Sequence, residues 1–419
     1  MELVAGNLQF PTSIAFDAEG RPWVAESGLP FDGAPAGGRV LCIDDSGGVV
    51  VRARGLRAPV TGLAFHDDTF YLSEGGNPGR ISRLTLDGER SDVLDGLPGR
   101  GNYHTNMAAV GSDGKLYFSQ GAATNSGVVG LDAHDLAWLD PSALAHDIPG
   151  LEVVLAGRSF ETPDPRRQAQ PQSVRTGAFL PFGTGGEAGQ RIAGKLPCTA
   201  AVMRCDLDGS GLELVAWGLR SAFGLVFLPD GRLLAADQGP DERGSRPIGR
   251  APDVLFDVVA GRYYGWPDFV DGTPVTDERF VSTRGPRPEM VLADHASLGP
   301  LERPVMAFPV NSAPTKMAVI PADSPRFPGH ILVCLFGDEL PVSGPPGARV
   351  GRSLARIDPL DWSLHAVELE PFHRPIDVRI DPAGRYFYVL DFGEFELRPG
   401  GVKATAASGT LWRVPLTAL

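Results

Sequence analysis

A histidine, two arginines and a series of carboxylates stand beside the same kind of segment at widely separated places in this 419-residue sequence. His104 opens HTNMAAVGSDGKLYFSQG, Arg220 directly precedes SAFGLVFLPDGRLLAADQG and Arg374 opens RPIDVRIDPAGRYFYVLDFGE. An imidazole can serve as a general base near neutral pH. A guanidinium can hold a carbonyl or carboxylate oxygen in a fixed orientation. Polar residues also stand at the starts of related segments, among them Arg57, Asn102, Tyr103, Ser221, Asn311 and His373. Acidic or amide residues close their second halves: Glu26, Glu74, Gln120, Asp237, Gln238, Asp338, Glu339, Asp391 and Glu394. Brought together, this mixture suits proton transfer and ion binding in one concave site; kept apart, its members would only hydrate a channel and cap strand ends.

A second group lies in DQGPDERGSRPIGRAPD, from Asp237 to Asp253. Carbonyls of a Gly-Pro turn flanked by acids can bind a hard cation such as calcium through oxygen. The same turn can instead be held by pairs of the Asp241–Arg243 type. Cys198 and Cys205 are close enough in sequence to close a small disulfide loop, whereas Cys42 and Cys334 sit in apolar strand patterns and read as buried thiols. No Cys/His spacing points to zinc. The aromatic run YYGWPDF, from Tyr263, reads as core.

The elements that must position these residues are six hairpins. Runs of alternating apolar residues lead into Asp/Gly-type turns and return as second apolar runs, starting at Pro11, Pro59, His104, Ser221, Pro314 and Arg374. Segments such as GRVLCIDDSGG and GRISRLTLDGE supply third strands. The expectation is an all-β, six-bladed β-propeller of four-stranded blades, forming a single domain over residues 1–419, with the ring closed by N- and C-terminal strands. First strands then line a central channel. Residues before the first strand and after the second share one mouth, and the Asp-Gly turns fall at the opposite face. A long loop insertion is expected at about 123–197, with Arg166–Val174 as a solvated loop.

A net charge of −13, from 38 basic and 51 acidic residues, disfavours a nucleic-acid partner. No apolar run reaches the length of a membrane-spanning helix. The first ten residues, MELVAGNLQF, lack the pattern of a signal peptide; compartment and oligomeric state stay open.

WGLRSAFGLVFLPDGRLLAADQGPDERG from Trp217, followed by GRYYGWP from Gly261, resembles the glucose/sorbosone dehydrogenase family, soluble quinoproteins using pyrroloquinoline quinone (PQQ) and Ca2+. YHTNMAAVGSDGKLYFSQG and RPIDVRIDPAGRYFYVLD add weaker matches. The resemblance implies a dehydrogenase oxidising a sugar or related alcohol. His104 would be the base, Arg220 the residue stabilising the reduced quinone oxygen and Gln238 its neighbour at the cofactor edge. The carbonyls of Gly239 and Pro240 would bind calcium, and Arg374 would clamp a cofactor carboxylate. Three positions depart from the family pattern: Ser221 replaces an Asn, Phe336–Asp338 stand where a Lys is expected, and Ile376 or Asp377 replaces a second Arg. Two other expectations compete with this one. One is a metal-dependent, lactonase-like hydrolase or lyase whose cation is held by several of Glu26, Glu74, Asp338 and Asp391; the other is a non-catalytic binding module recognising partners through the insertion.

Overall fold

The computed structural model describes the chain apart from residues 45, 100, 102, 136–145, 166–171 and 370–371. Asn102 and most of the loop expected at Arg166–Val174 therefore lie outside the described residues. Six four-stranded antiparallel sheets form a ring, as the repeat predicts. The innermost strands are Pro11–Phe16, Val60–His66, Thr105–Val110, Ala222–Phe227, Pro314–Val319 and Pro375–Ile380. Each packs against its neighbours around the channel, and Pro375–Ile380 returns to Pro11–Phe16. The termini share the sixth blade: Glu2–Leu8 is its outermost strand, paired antiparallel with Gly409–Pro415. The hydrophobic core is divided among the seams between blades, for instance where Trp23 meets Phe70 at 4.4 Å.

Every innermost strand carries a register irregularity against its partner within its first few residues. A bulge leaves a residue out of the ladder and re-aims its side chain. The residues so released are Thr12, Thr61, Asn106, Phe223, Thr315 and Ile376, one from each blade, and all six reach the channel mouth.

Four of the acidic residues that end second strands have a repeated structural task. Glu26 accepts from the Gln9 N–H, Glu74 from Arg57, Asp237 from Arg220 and Ser221, and Asp391 from His373 and Arg374. Each carboxylate satisfies backbone donors at the start of its own blade's inner strand, which a buried chain must do by some means. At the other end of the hairpins, Gly114 and Gly231 adopt φ of 73° and 90° in the Asp-Gly turns.

Within the third blade, strands Leu116–Gln120 and Ala201–Cys205 are joined by residues 121–200, which carry two small sheets. Val153, Phe160 and Phe179 from this segment join Trp217, Tyr263 and Trp266 in one apolar cluster. Tyr263, Tyr264 and Trp266 of YYGWPDF are core, as expected, with Phe269 half-buried against the cluster. Cys198 and Cys205 are free, buried thiols, so the disulfide alternative does not hold; Cys198 lies 4.0 Å from the Met203 sulfur instead. Among the described residues, no helix is long and apolar enough to cross a membrane.

Candidate functional site

The channel mouth opens into a cavity of about 310 Å³. Its lining includes the six bulge residues and, of the residues singled out above, Tyr103, His104, Arg220, Gln238, Gly239, Pro240, Asn311, Asp338 and Glu339. Below the bulge residues the channel is filled. Lys316 is fully buried and donates to the Thr12 and Thr61 carbonyls at 2.5 and 2.6 Å, and Asp377 accepts from Ser13 Oγ and the Ile14 N–H. Arg379 reaches the carbonyls of Ile14 and Met317 from beneath. The site is therefore a cup, open at one face.

His104 stands at the start of the third blade's inner strand. Burial pushes its imidazole down to about 4, against a backbone hydrogen bond to Gly99 that favours the charged form. Its Nδ1 is buried without a hydrogen-bond partner among the described residues. The ring is neutral at physiological pH. Tyr103, beside it, is pushed up to about 12 by burial, and its ring lies 4.4 Å from the Arg220 guanidinium carbon.

Arg220 is 2% exposed and held from several sides. Nε donates to the Asn125 carbonyl, Nη2 to Asn125 Oδ1 and Asp241 Oδ2, and Nη1 to the Gln238 carbonyl. A guanidinium has five N–H groups, so one on Nη1 remains for a ligand. Asp241 also pairs with Arg243 at 2.9 Å, so the turn after the fourth hairpin is held by the ion pair that its sequence allowed. Gln238 spends its side-chain amide on the Pro314 carbonyl. Gly239 donates its N–H to Asp253 Oδ1, while the Gly239 and Pro240 carbonyls receive no donor among the described residues. Asp253, pushed up to about 6 by burial, also accepts from Ala313 N–H. Burial likewise raises Glu339, whose carboxylate has no hydrogen-bond or ion-pair partner among the described residues.

The opposite wall is aromatic: Phe31, Phe336, Phe392 and Phe395 line it, with ring centroids 5.5 to 5.7 Å apart in three of their pairs. Arg374 lies behind this wall and outside the lining. It is fully buried, stacked 4.9 Å from the Phe336 ring, and donates from Nη1 to the carbonyls of Phe336, Gly337 and Asp338 and from Nε to that of Phe395. The structure thus gathers His104, Arg220, Gln238, Gly239 and Pro240 around one space and sets Arg374 to brace its wall.

The carboxylate quartet expected for a hydrolytic metal is not assembled. Glu26 and Glu74 are engaged by backbone amides and by Arg39 and Arg80, Asp391 by backbone amides, and Asp338 by Arg349 and the Leu340 and Val350 amides. Only Asp338 of the four reaches the cavity. Among the described residues, no group of three or more His, Cys, Asp or Glu side chains could hold a metal ion.

No protein-family model matches the chain, and no curated protein matches it. Solved structures do match along its whole length. A putative glucose dehydrogenase from Thermus thermophilus is 18% identical, with TM-score 0.54, covering 98% of this chain and 99% of that one. The soluble aldose sugar dehydrogenase from Escherichia coli, in its apo form, is 14% identical, with TM-score 0.57 and 99% of both chains covered. The PQQ domain of pyranose dehydrogenase from Coprinopsis cinerea, in its holo form, is 12% identical, with TM-score 0.57, covering 98% of this chain and 93% of that one. The fold is that of the soluble sugar-dehydrogenase propellers, as the Trp217–Trp266 resemblance implied.

Proposed function

We propose that the channel-mouth cavity is the active site of a dehydrogenase that oxidises a sugar or related alcohol, with His104 as the proton acceptor. The observation that carries this reading is a desolvated, uncharged imidazole placed in one cavity with a guanidinium and with two carbonyl oxygens that have no donor among the described residues. The ring nitrogen not held by Gly99 takes the hydroxyl proton. A base of such low proton affinity is always available yet weak, so it needs partners that make the hydroxyl more acidic. Arg220 would provide that, and a cation held by the Gly239 and Pro240 carbonyls would add to it. The aromatic wall offers apolar faces to a ring-shaped substrate.

Calcium suits the free carbonyls of Gly239 and Pro240, with Glu339 as a nearby carboxylate on the same lining. PQQ carries three carboxylates, and among the described residues Arg220 is the one arginine or lysine on the lining, which Asp241, Asp253, Asp338 and Glu339 share. As a free trianion it would be repelled. As a calcium complex, its charge is met by the cation together with Arg220, and in that form the residues fit it; it would supply the hydride acceptor. Gln238 would stand at its edge. The losses at Ser221, Phe336–Asp338 and Ile376 make binding weaker than a full cationic cradle would give.

The test is absorbance titration with PQQ, with and without calcium, followed by dye-linked oxidation of a panel of aldoses. Binding and turnover should both require calcium and disappear with a chelator. His104→Ala should leave quinone binding in place and lower kcat by roughly 10²- to 10⁴-fold. Quinone binding indifferent to calcium, or turnover indifferent to His104, overturns the reading.

A further inference from the structure

Behind the aromatic wall lies a second cavity, of about 220 Å³, lined by Arg352, His373, Glu394, Phe395, Glu396 and Lys403 among others. Phe395 is common to both cavities. Arg352 reaches the back of the wall because Gly337 has no side chain: a Cβ there would lie 2.8 Å from Arg352 Cγ.

The carboxylates here are already engaged. Glu394 accepts from Thr405 Oγ1 at 2.7 Å, and Glu396 pairs with Arg349 and Arg398 at 3.1 and 2.6 Å. The two arginines behind the wall still have donors to spend. Nε and Nη2 of Arg352, which form the side-on fork of the guanidinium, are buried without an acceptor among the described residues. Arg374, fully buried, also keeps Nη2 without an acceptor among them. The two guanidiniums act on each other: Arg374 is pushed down to about 10, by burial first and by the Arg352 charge next. Carboxylates already act on both charges, Glu339 and Asp338 on Arg374 and Glu396 on Arg352, but a buried donor without an acceptor is still costly. A planar fork with both N–H groups free matches two oxygens of one anion.

We propose that this second cavity is a binding site for a small oxyanion, a carboxylate or phosphate group, gripped by the Arg352 fork with Lys403 adding charge. The site is separate from the channel mouth. It borders the segment Phe336–Asp338, whose carbonyls Arg374 holds, so an occupant would also steady the wall of the first cavity.

The experiment titrates the full chain, without sugar, quinone or calcium, with sodium acetate and separately with sodium phosphate at fixed pH and ionic strength. Heat of binding and melting temperature are recorded. At least one oxyanion should bind saturably and raise the melting temperature: acetate if the natural ligand bears a carboxylate, phosphate if it bears a phosphate. Arg352→Gln should weaken that binding at least about tenfold and should melt higher than the wild type in oxyanion-free buffer, because it removes buried donors that have no acceptor among the described residues. Lys403→Gln, at an exposed position, should weaken binding by a few-fold without altering the fold. Absence of saturable binding to either anion, or equal affinity in wild type and both variants, overturns the proposal. The readout is independent of turnover, so failure of the dehydrogenase reading leaves this result standing.

Discussion

At the scale of single residues, the contrast between His104 and the carboxylates decides what the cavity can do. His104 is pushed down to about 4, whereas Asp237 and Asp253 are pushed up to about 7 and 6, all chiefly by burial. The same desolvation therefore favours the uncharged form of each. For His104 the folded state resists protonation. Its contribution is neutral above the ordinary histidine value and becomes destabilising as pH falls from about 6.5 toward 4. The two aspartates act oppositely, gaining stability as pH falls, but they are present in any His104 variant and cancel in the difference. The expected result is that His104→Gln gains stability relative to wild type between about pH 6.5 and 4, read from urea midpoints across that range. Activity of the wild type should keep a plateau down to about pH 5. A stability difference that does not vary with pH would show that the imidazole is solvated.

At the scale of elements, the closing carboxylates show why chemistry is harder to read than architecture. Period-2 runs, turn residues and repetition make the six hairpins and the shared terminal blade legible, because each copy states the same backbone demand. The acid that closes a second strand looks the same whether it caps its own blade or faces a ligand, so Glu26, Glu74 and Asp391 are indistinguishable in sequence from Glu339. The bulges are hidden for a related reason. Two adjacent polar residues, as in Thr12-Ser13 and Thr315-Lys316, interrupt the alternation and could have revealed them, but copies such as Ala222-Phe223 and Pro375-Ile376 carry no such mark. The aromatic wall escapes a sequence reading because only two of its members share a pattern: Phe336 and Phe392 each follow a second strand and precede Gly and an acid, whereas Phe31 opens a short 3-10 helix and Phe395 a small strand. The capping role itself is testable at Glu74, which is fully buried and holds the Arg57 N–H, Arg80 and Ser82. Glu74→Ala leaves Arg80 buried with only Asp92 as a charge partner among the described residues, and should cost roughly 3–5 kcal/mol in denaturant unfolding. A cost below about 1 kcal/mol would mean that water replaces the cap.

At the scale of the whole molecule, a cup-shaped site built from six blades depends on the ring remaining closed. Closure rests on one strand, Glu2–Leu8, laid against Gly409–Pro415 as the outer edge of the sixth blade. Ala5 and Leu8 are buried in the cluster that also contains Phe10, Ile376, Leu390, Phe392 and Leu411. Phe392 and Ile376 line the cavity, so this seam joins the chain's first strand directly to the wall of the site. The exposed Glu2–Arg413 pair adds little; the apolar contacts and the main-chain ladder carry the closure. Removing residues 1–8 uncovers the edge of Gly409–Pro415, and an unpaired edge recruits strands from other chains. The truncated protein should therefore melt at a lower temperature, lose a single cooperative transition and form concentration-dependent oligomers by light scattering. A synthetic peptide of residues 1–9 added in excess should restore the monomer and raise the melting temperature by mass action. If the truncated chain stays monomeric and melts with the intact one, the terminal strand is dispensable and closure must come from the packing of the inner strands alone.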